Sequence, residues 1–238
     1  MLAKVVGQKG LCLLASGLVL VVFSSIDIPA GSAGQTQESS QNNNGWPTRR
    51  VGGGSREGCG TNSPNQFCVP VMAMIPEYLA VTATDTPTLF FRIPSLRNPT
   101  GVQMEFVLRD GSDRLVYETT FAASPEGGLL ALHLPKTGEF QGLKIDENYH
   151  WYFSIIYDPT DRAHDDVVEG WLRREVIPES LARKLQTATP MEQVALYEDA
   201  QLWTEAISTL ALLKQNQPNN PILAEKWQQL LGELELTF

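Results

Sequence analysis

Four aspartates crowd the stretch YDPTDRAHDD, where Asp158, Asp161, Asp165 and Asp166 surround His164. Carboxylates at this density could hold Ca²⁺ or supply an acid–base pair, which makes the loop the first candidate site. Counted from Asp158, the others stand at +3, +7 and +8. Those offsets miss the 1, 3, 5 ligand spacing of an EF-hand loop, and its central glycine is missing too. The plainer expectation is a long loop between two strands, with Asx turns at the aspartates and Arg162 offsetting their charge. A metal-dependent or carbohydrate-active hydrolase working through residues 158–166 is the alternative reading. Glycoside hydrolysis needs two carboxylates facing each other across a cleft, and spacing alone selects no such pair.

A second chemical candidate is RRVGGGSREGC, Arg49 to Cys59. A phosphate-cradling loop requires G-x-x-x-x-G-K-[ST] between a strand and a helix, but here Ser55 is followed by Arg56 with no lysine. A nucleophile elbow, G-x-S-x-G, needs glycine two residues after the serine, where Glu57 stands. The run reads better as a flexible tether. None of the three histidines has a partner at metal-site spacing and no H-E-x-x-H pattern occurs, so a zinc protease site is not supported. His133 is expected to point to solvent, His150 to lie on the non-core face of its strand, and His164 to sit in the polar loop.

The first 33 residues carry Lys4 and Lys9, an apolar run from Leu11 to Phe23, then Pro29 and small residues. That is the layout of a secretory signal peptide cleaved near Ala33, and the apolar run is too short for a spanning helix. Losing two lysines and one aspartate with it takes the formal charge from −9 to −10. A chain this acidic, without a basic stripe, is repelled by phosphate backbones, which excludes nucleic acid as a partner. Cys59 and Cys68 remain after processing, in a compartment that permits oxidation, and are expected to form a disulfide. No cofactor is expected.

The elements that must position these residues follow from pattern. Residues 34–66 are rich in Gln, Asn, Ser and Gly and nearly free of aliphatic side chains, which predicts a disordered linker. From 67 to 177 short β-branched and aromatic runs alternate with turn residues: 88–93, 103–109, 115–121, 129–134, 149–157 and 167–175. Asp110-Gly111-Ser112-Asp113 links the second and third as a hairpin. Six to eight close-spaced strands predict an antiparallel immunoglobulin-like β-sandwich. In YHWYFSIIY, the side chains of Tyr149, Trp151, Phe153 and Ile155 share the core face. LKIDENYHW also resembles a sandwich corner, with Tyr149 hydrogen-bonding back and Trp151 in the core.

From 178 to 238 the period becomes helical, giving a small C-terminal hairpin or bundle. Thr189-Pro190-Met191-Glu192 is a capping box with Pro at the first helical position. Trp203, Ile207, Leu210 and Ala211, then Leu223, Trp227, Leu230 and Leu231, form apolar stripes on either side of QPNNP. The segment 196–220 resembles one tetratricopeptide repeat, with Tyr197, Ala206, Leu210 and Pro218 at its motif positions. Val194, Leu213 and Gln201 depart from that pattern. A single repeat cannot bury its own face, so these helices must pack on each other, with the sandwich as a second available surface.

DTPTLFFRIP, EFVLRDGSDRLVYETTF, ENYHWYFSIIYDPTDRAHDDVVEGWLRR and the helical segment from Tyr197 together resemble a family of exported cyanobacterial proteins, Domain of Unknown Function 928. The similarity runs from about Pro47 to Leu236 and includes the Gly-Ser-Arg run. It implies a cyanobacterial source and a periplasmic, envelope or extracellular location, and it carries over no catalytic residue. At Ile156-Tyr157 the family pattern leads one to expect a Cys, so a second bridge seen in relatives would be missing here. The expectation is a non-enzymatic exported module that binds a protein or polysaccharide of the envelope, without a retained transmembrane segment. Tyr197, Trp203 and Trp227 are the aromatics to check for exposure.

Overall fold

The computed structural model describes residues 11–13, 19–23, 49–52, 70–76, 79–96, 99–138 and 140–236, the first two segments as backbone alone. Ten strands and four α-helices follow in order: β1 Leu11–Leu13, β2 Val19–Phe23, β3 Met72–Ala73, β4 Leu79–Thr82, β5 Thr88–Ile93, β6 Gln103–Asp110, β7 Leu115–Ala122, β8 Gly128–His133, β9 Asn148–Ile156, β10 Asp166–Arg174, α1 Glu179–Thr187, α2 Pro190–Asp199, α3 Trp203–Asn216 and α4 Pro221–Glu233. All six strands expected from the sequence form within a residue or so of their expected bounds.

The strands make two five-stranded sheets, ordered β1-β2-β8-β5-β3 and β4-β10-β9-β6-β7. Every pairing is antiparallel except β4 with β10, which is parallel, so the second sheet is mixed rather than purely antiparallel. Asp110 shapes the β6–β7 hairpin: its carboxylate accepts from the backbone N–H groups of Ser112 and Arg114, and Asp113 takes the left-handed conformation at φ 62°.

Between the sheets lies an aromatic core. Phe91 of β5 stacks on Phe153 of β9 at 4.3 Å and meets Trp151 edge-on at 5.6 Å. Trp151, Phe153 and Ile155 are fully buried, as alternation along β9 required. Gly170 sits opposite Trp151 in the ladder, where a Cβ would stand 2.6 Å from the indole, so glycine makes room for the tryptophan. The hydroxyl of Tyr149 accepts from the backbone N–H of Lys144 at 3.1 Å, closing the corner before β9.

A second apolar cluster joins sheet and helices. Met72, Met74, Phe90, Leu129 and Ala131 pack with Val194, Ile207, Leu210, Leu223, Trp227 and Leu230. This corrects the expectation for His133: its face of β8 is roofed by the helices, and the ring is half-buried, with Nδ1 3.2 Å from Thr88 Oγ1. Leucines on both faces of LLALHL have a burial partner on each side. The capping box forms as read, with Thr189 Oγ1 accepting from the Glu192 N–H and the Glu192 carboxylate accepting from the Thr189 N–H.

Part of the stretch expected to be a disordered linker is held in place. Arg49 exchanges backbone hydrogen bonds with Glu169 of β10, and Gly52 N–H donates to Val71 at 2.8 Å. A Cβ on Gly52 would stand 2.5 Å from Val71 Cγ1, which explains glycine at this close approach. The Arg50 guanidinium donates to the carbonyls of Ile75 and of Leu234, the cap at the end of α4. Residues 53–69, with Cys59 and Cys68 and their expected disulfide, lie outside the described residues, as does most of the expected signal peptide.

Candidate functional site

The two outer faces of the sandwich are treated differently. Helices cover the outside of β3, β5 and β8, whereas most outer residues of β6, β9 and β10 remain half-buried or exposed, Ser154 and Ile156 at the end of β9 being buried. Register determines which side chains share that open face. His150 stands between Arg109 and Trp171, and Tyr152 between Val107 and Glu169, with Arg49 paired on the far side of Glu169. Four chemically active groups thereby meet across two central strands.

Their geometry is compact. The imidazole of His150 stacks on the Trp171 indole at 4.3 Å and 11°, and the Tyr152 ring lies 4.3 Å away on the same strand. His150 Nδ1 lies 2.9 Å from Tyr152 Oη, and Nε2 lies 3.1 Å from Glu169 Oε2. Burial pushes the pKa of His150 below the usual imidazole value, and the nearby Glu169 charge pulls against it. Burial, with Glu169 adding to it, pushes the Tyr152 hydroxyl up. The cluster offers ring faces, an acceptor and donors at neutral pH, and it contains no serine, cysteine or threonine nucleophile.

The four candidate aspartates are not brought to one point. Asp158 accepts from Thr160 within its own turn, Asp161 caps the short 3₁₀ turn Arg162–His164 and pairs with His164 at 2.9 Å, and Asp165 pairs with Arg162. Asp166 accepts from the Tyr157 hydroxyl at 2.7 Å, which with burial pushes that hydroxyl far above its ordinary pKa. Arg162 also reaches Glu105 at 2.8 Å, tying the loop to β6. Among the described residues no three His, Cys, Asp or Glu side chains gather as a metal site would need.

A polar seam separates the sandwich from the helices. Thr84, Thr86, Thr88, Tyr197, Thr204, Glu205, Ser208 and Thr209 line a hollow of about 200 Å³. Glu205 Oε1 accepts from Thr82 Oγ1 at 2.6 Å and from the Ala83 N–H at 2.7 Å, while Oε2 is buried without a hydrogen bond. Burial pushes this carboxyl above its usual pKa, against the pull of those bonds. The arrangement is a joint that fastens α3 to the β4–β5 turn. Trp227 is fully buried in the helical layer, and Trp203 and Tyr197 pack partly against it.

The family described as Domain of Unknown Function (DUF928) matches residues 51–237. The chain belongs to the DUF928 family. No curated protein matches this DUF928 chain. Among solved structures it is similar to CopC from Methylosinus trichosporium OB3b, at 15% identity over 47% of this chain and 95% of that one, with TM-score 0.28. The periplasmic chaperone SfaE is similar at 9% identity over 48% and 62%, with TM-score 0.28. A Parabacteroides merdae β-glucuronidase is similar at 11% identity over 44% and 14%, with TM-score 0.25. At these TM-scores none of the three bears on what the DUF928 protein does.

Glu169 and Trp171 were not singled out from the sequence, and His150 was read as unremarkable. Alternation does put His150 with Tyr152, and Glu169 with Trp171, on non-core faces. What sequence alone lacks is the register between β9 and β10 that sets the four side by side.

Proposed function

We propose that this protein is an exported, non-enzymatic binding module, an immunoglobulin-like sandwich whose open sheet face holds a hydroxyl-rich polymer of the cell envelope. The carrying observation is the cluster of His150, Tyr152, Glu169 and Trp171 on the outer sheet face that the helices leave uncovered. Aromatic ring faces stack on the C–H faces of sugar rings, and a carboxylate with flanking donors orients hydroxyls. The leader-like first 33 residues support export. Among the described residues no helix is long and apolar enough to cross a membrane. The hydrolase alternative draws no support from the acidic loop, whose carboxylates turn to separate partners.

Affinity electrophoresis through gels containing envelope polysaccharide tests this reading. The protein should be retarded, and Trp171→Ala should weaken binding by at least about tenfold, as expected for loss of an aromatic anchor. Glu169→Gln should weaken it less, and Glu225→Gln, exposed on α4, should change nothing. Retardation that survives Trp171→Ala and Glu169→Gln together, or none with any envelope polysaccharide, overturns it.

A further inference from the structure

We propose that removal of the leader opens the outer edge of β8, and that this edge accepts an extended apolar strand of a partner polypeptide. The inference rests on the export reading above and on three features of the fold. First, the neighbour of β8 on its outer side is β2, paired antiparallel from Leu20 opposite Leu132 to Phe23 opposite Leu129. That strand lies within the apolar run read as a signal peptide. Cleavage near Ala33 takes β1 and β2 away together and leaves a row of β8 backbone N–H and C=O groups without a ladder partner.

Second, β8 is no ordinary exposed edge. Leu130 and Leu132 belong to the core between the sheets, and Leu129 and Ala131 to the layer under the helices. A strand added beside β8 continues both apolar layers, so it must be apolar at successive positions rather than at alternate ones. Val19–Phe23, VLVVF, has that character.

Third, the sheets become unequal. Without β1 and β2, three strands, β8-β5-β3, face five, β4-β10-β9-β6-β7. Phe91 of β5 sits over β9 and β6, and β3 lies beside β10, so β8 stands toward the β7 end. Two missing strands leave about 10 Å of facing sheet uncovered at 4.8 Å per strand. The inward-pointing Phe121 of β7 lies in that part, while Tyr117 further along the strand packs on Phe140 at 5.7 Å. Main-chain hydrogen bonds along β8 and apolar side chains over Phe121 define the partner: four or five consecutive residues in β conformation, rich in Val, Leu, Ile or Phe, without proline.

Hydrogen exchange on two forms of the protein tests this: the full-length chain and the exported chain, the N-terminus of each established by intact mass. In the exported chain, amides within Leu129–Leu132 should exchange at least about tenfold faster than in the full-length chain. A lysine-flanked probe peptide carrying residues 17–24, GLVLVVFS, should restore their protection. The same peptide N-methylated at alternate residues, which keeps its side chains and loses its edge bonds, should not. Equal protection in the two forms, or equal action of the two peptides, overturns the proposal. So does an exported chain that still carries Leu11–Phe23, a result that leaves the open-face reading untouched because that reading concerns the opposite sheet.

Discussion

His150 and Glu205 are both half-hidden ionisable groups, yet burial gives their pH signatures opposite signs. The folded protein lowers the pKa of His150, chiefly through burial, against Glu169. The folded state then binds the proton less tightly than the unfolded chain, and stability falls as pH drops below the free imidazole value of about 6.5. His133, whose pKa burial also lowers, adds in the same direction. Thermal midpoints should therefore decline from pH 7 to pH 5, and His150→Gln should flatten that decline. An identical slope in the variant would show that His150 is not the group responsible. Glu205 behaves the other way, because burial raises its pKa. Its contribution is full below the unfolded value and is lost as pH rises through the folded one. Glu205→Gln keeps an acceptor for Thr82 and Ala83 without the buried charge. It should raise the midpoint at pH 7 and leave it nearly unchanged near pH 4, as calorimetry at the two pH values would show.

At the scale of elements, Arg50 is a clasp between chain ends. Its guanidinium reaches the carbonyl that caps α4 and the carbonyl of Ile75, so one side chain ties the N-terminal segment, a sheet edge and the last helix. A cation at a helix C-terminus satisfies an orphan carbonyl and complements the helix dipole. Arg50→Ala should cost about 1.5–3 kcal/mol, the range for hydrogen bonds to charged groups. Urea unfolding would measure it, and a loss below about 0.5 kcal/mol, the ordinary scatter for surface changes, would reduce the clasp to a surface contact. Elements like these also show where the sequence was readable. Six strands and the Thr189 cap were legible because alternation and capping are local signals. β3 and β4 are two and four residues long, too short to show a period. The face of His133, shared with Leu129 and Ala131, was read correctly, but its exposure was not, because the helices that roof it come some sixty residues later. The candidate binding face stayed hidden for a related reason: His150, Tyr152, Glu169 and Trp171 become neighbours only through cross-strand register.

For the whole molecule, the question is whether the sandwich of residues 67–177 and the helices of 178–238 are separable. Each has its own secondary structure, but the second apolar cluster takes residues from both. Phe90, Leu129 and Ala131 on the sheet are covered by helical side chains, Trp227 among the packed residues is fully buried, and Glu205 is bonded across the seam to Thr82 and Ala83. A sheet keeps two buried faces only while something packs on each, and this one is roofed by helices that in turn need it. Truncation after Ile177 would therefore uncover a contiguous apolar surface around Met72, Met74, Phe90, Leu129 and Ala131. The expected result is a protein that aggregates on expression or binds a hydrophobic dye strongly, and residues 178–238 alone should lose most of their helicity. A helical fragment with a cooperative thermal transition of its own, or a soluble truncated sandwich with unchanged melting, would show that the two halves fold apart. With both halves dependent on the shared layer, unfolding of the intact chain should follow one coincident transition by tryptophan fluorescence and far-ultraviolet dichroism. Trp151 and Trp227 lie in different clusters, so fluorescence changes from the two would separate in temperature if the layers melted independently.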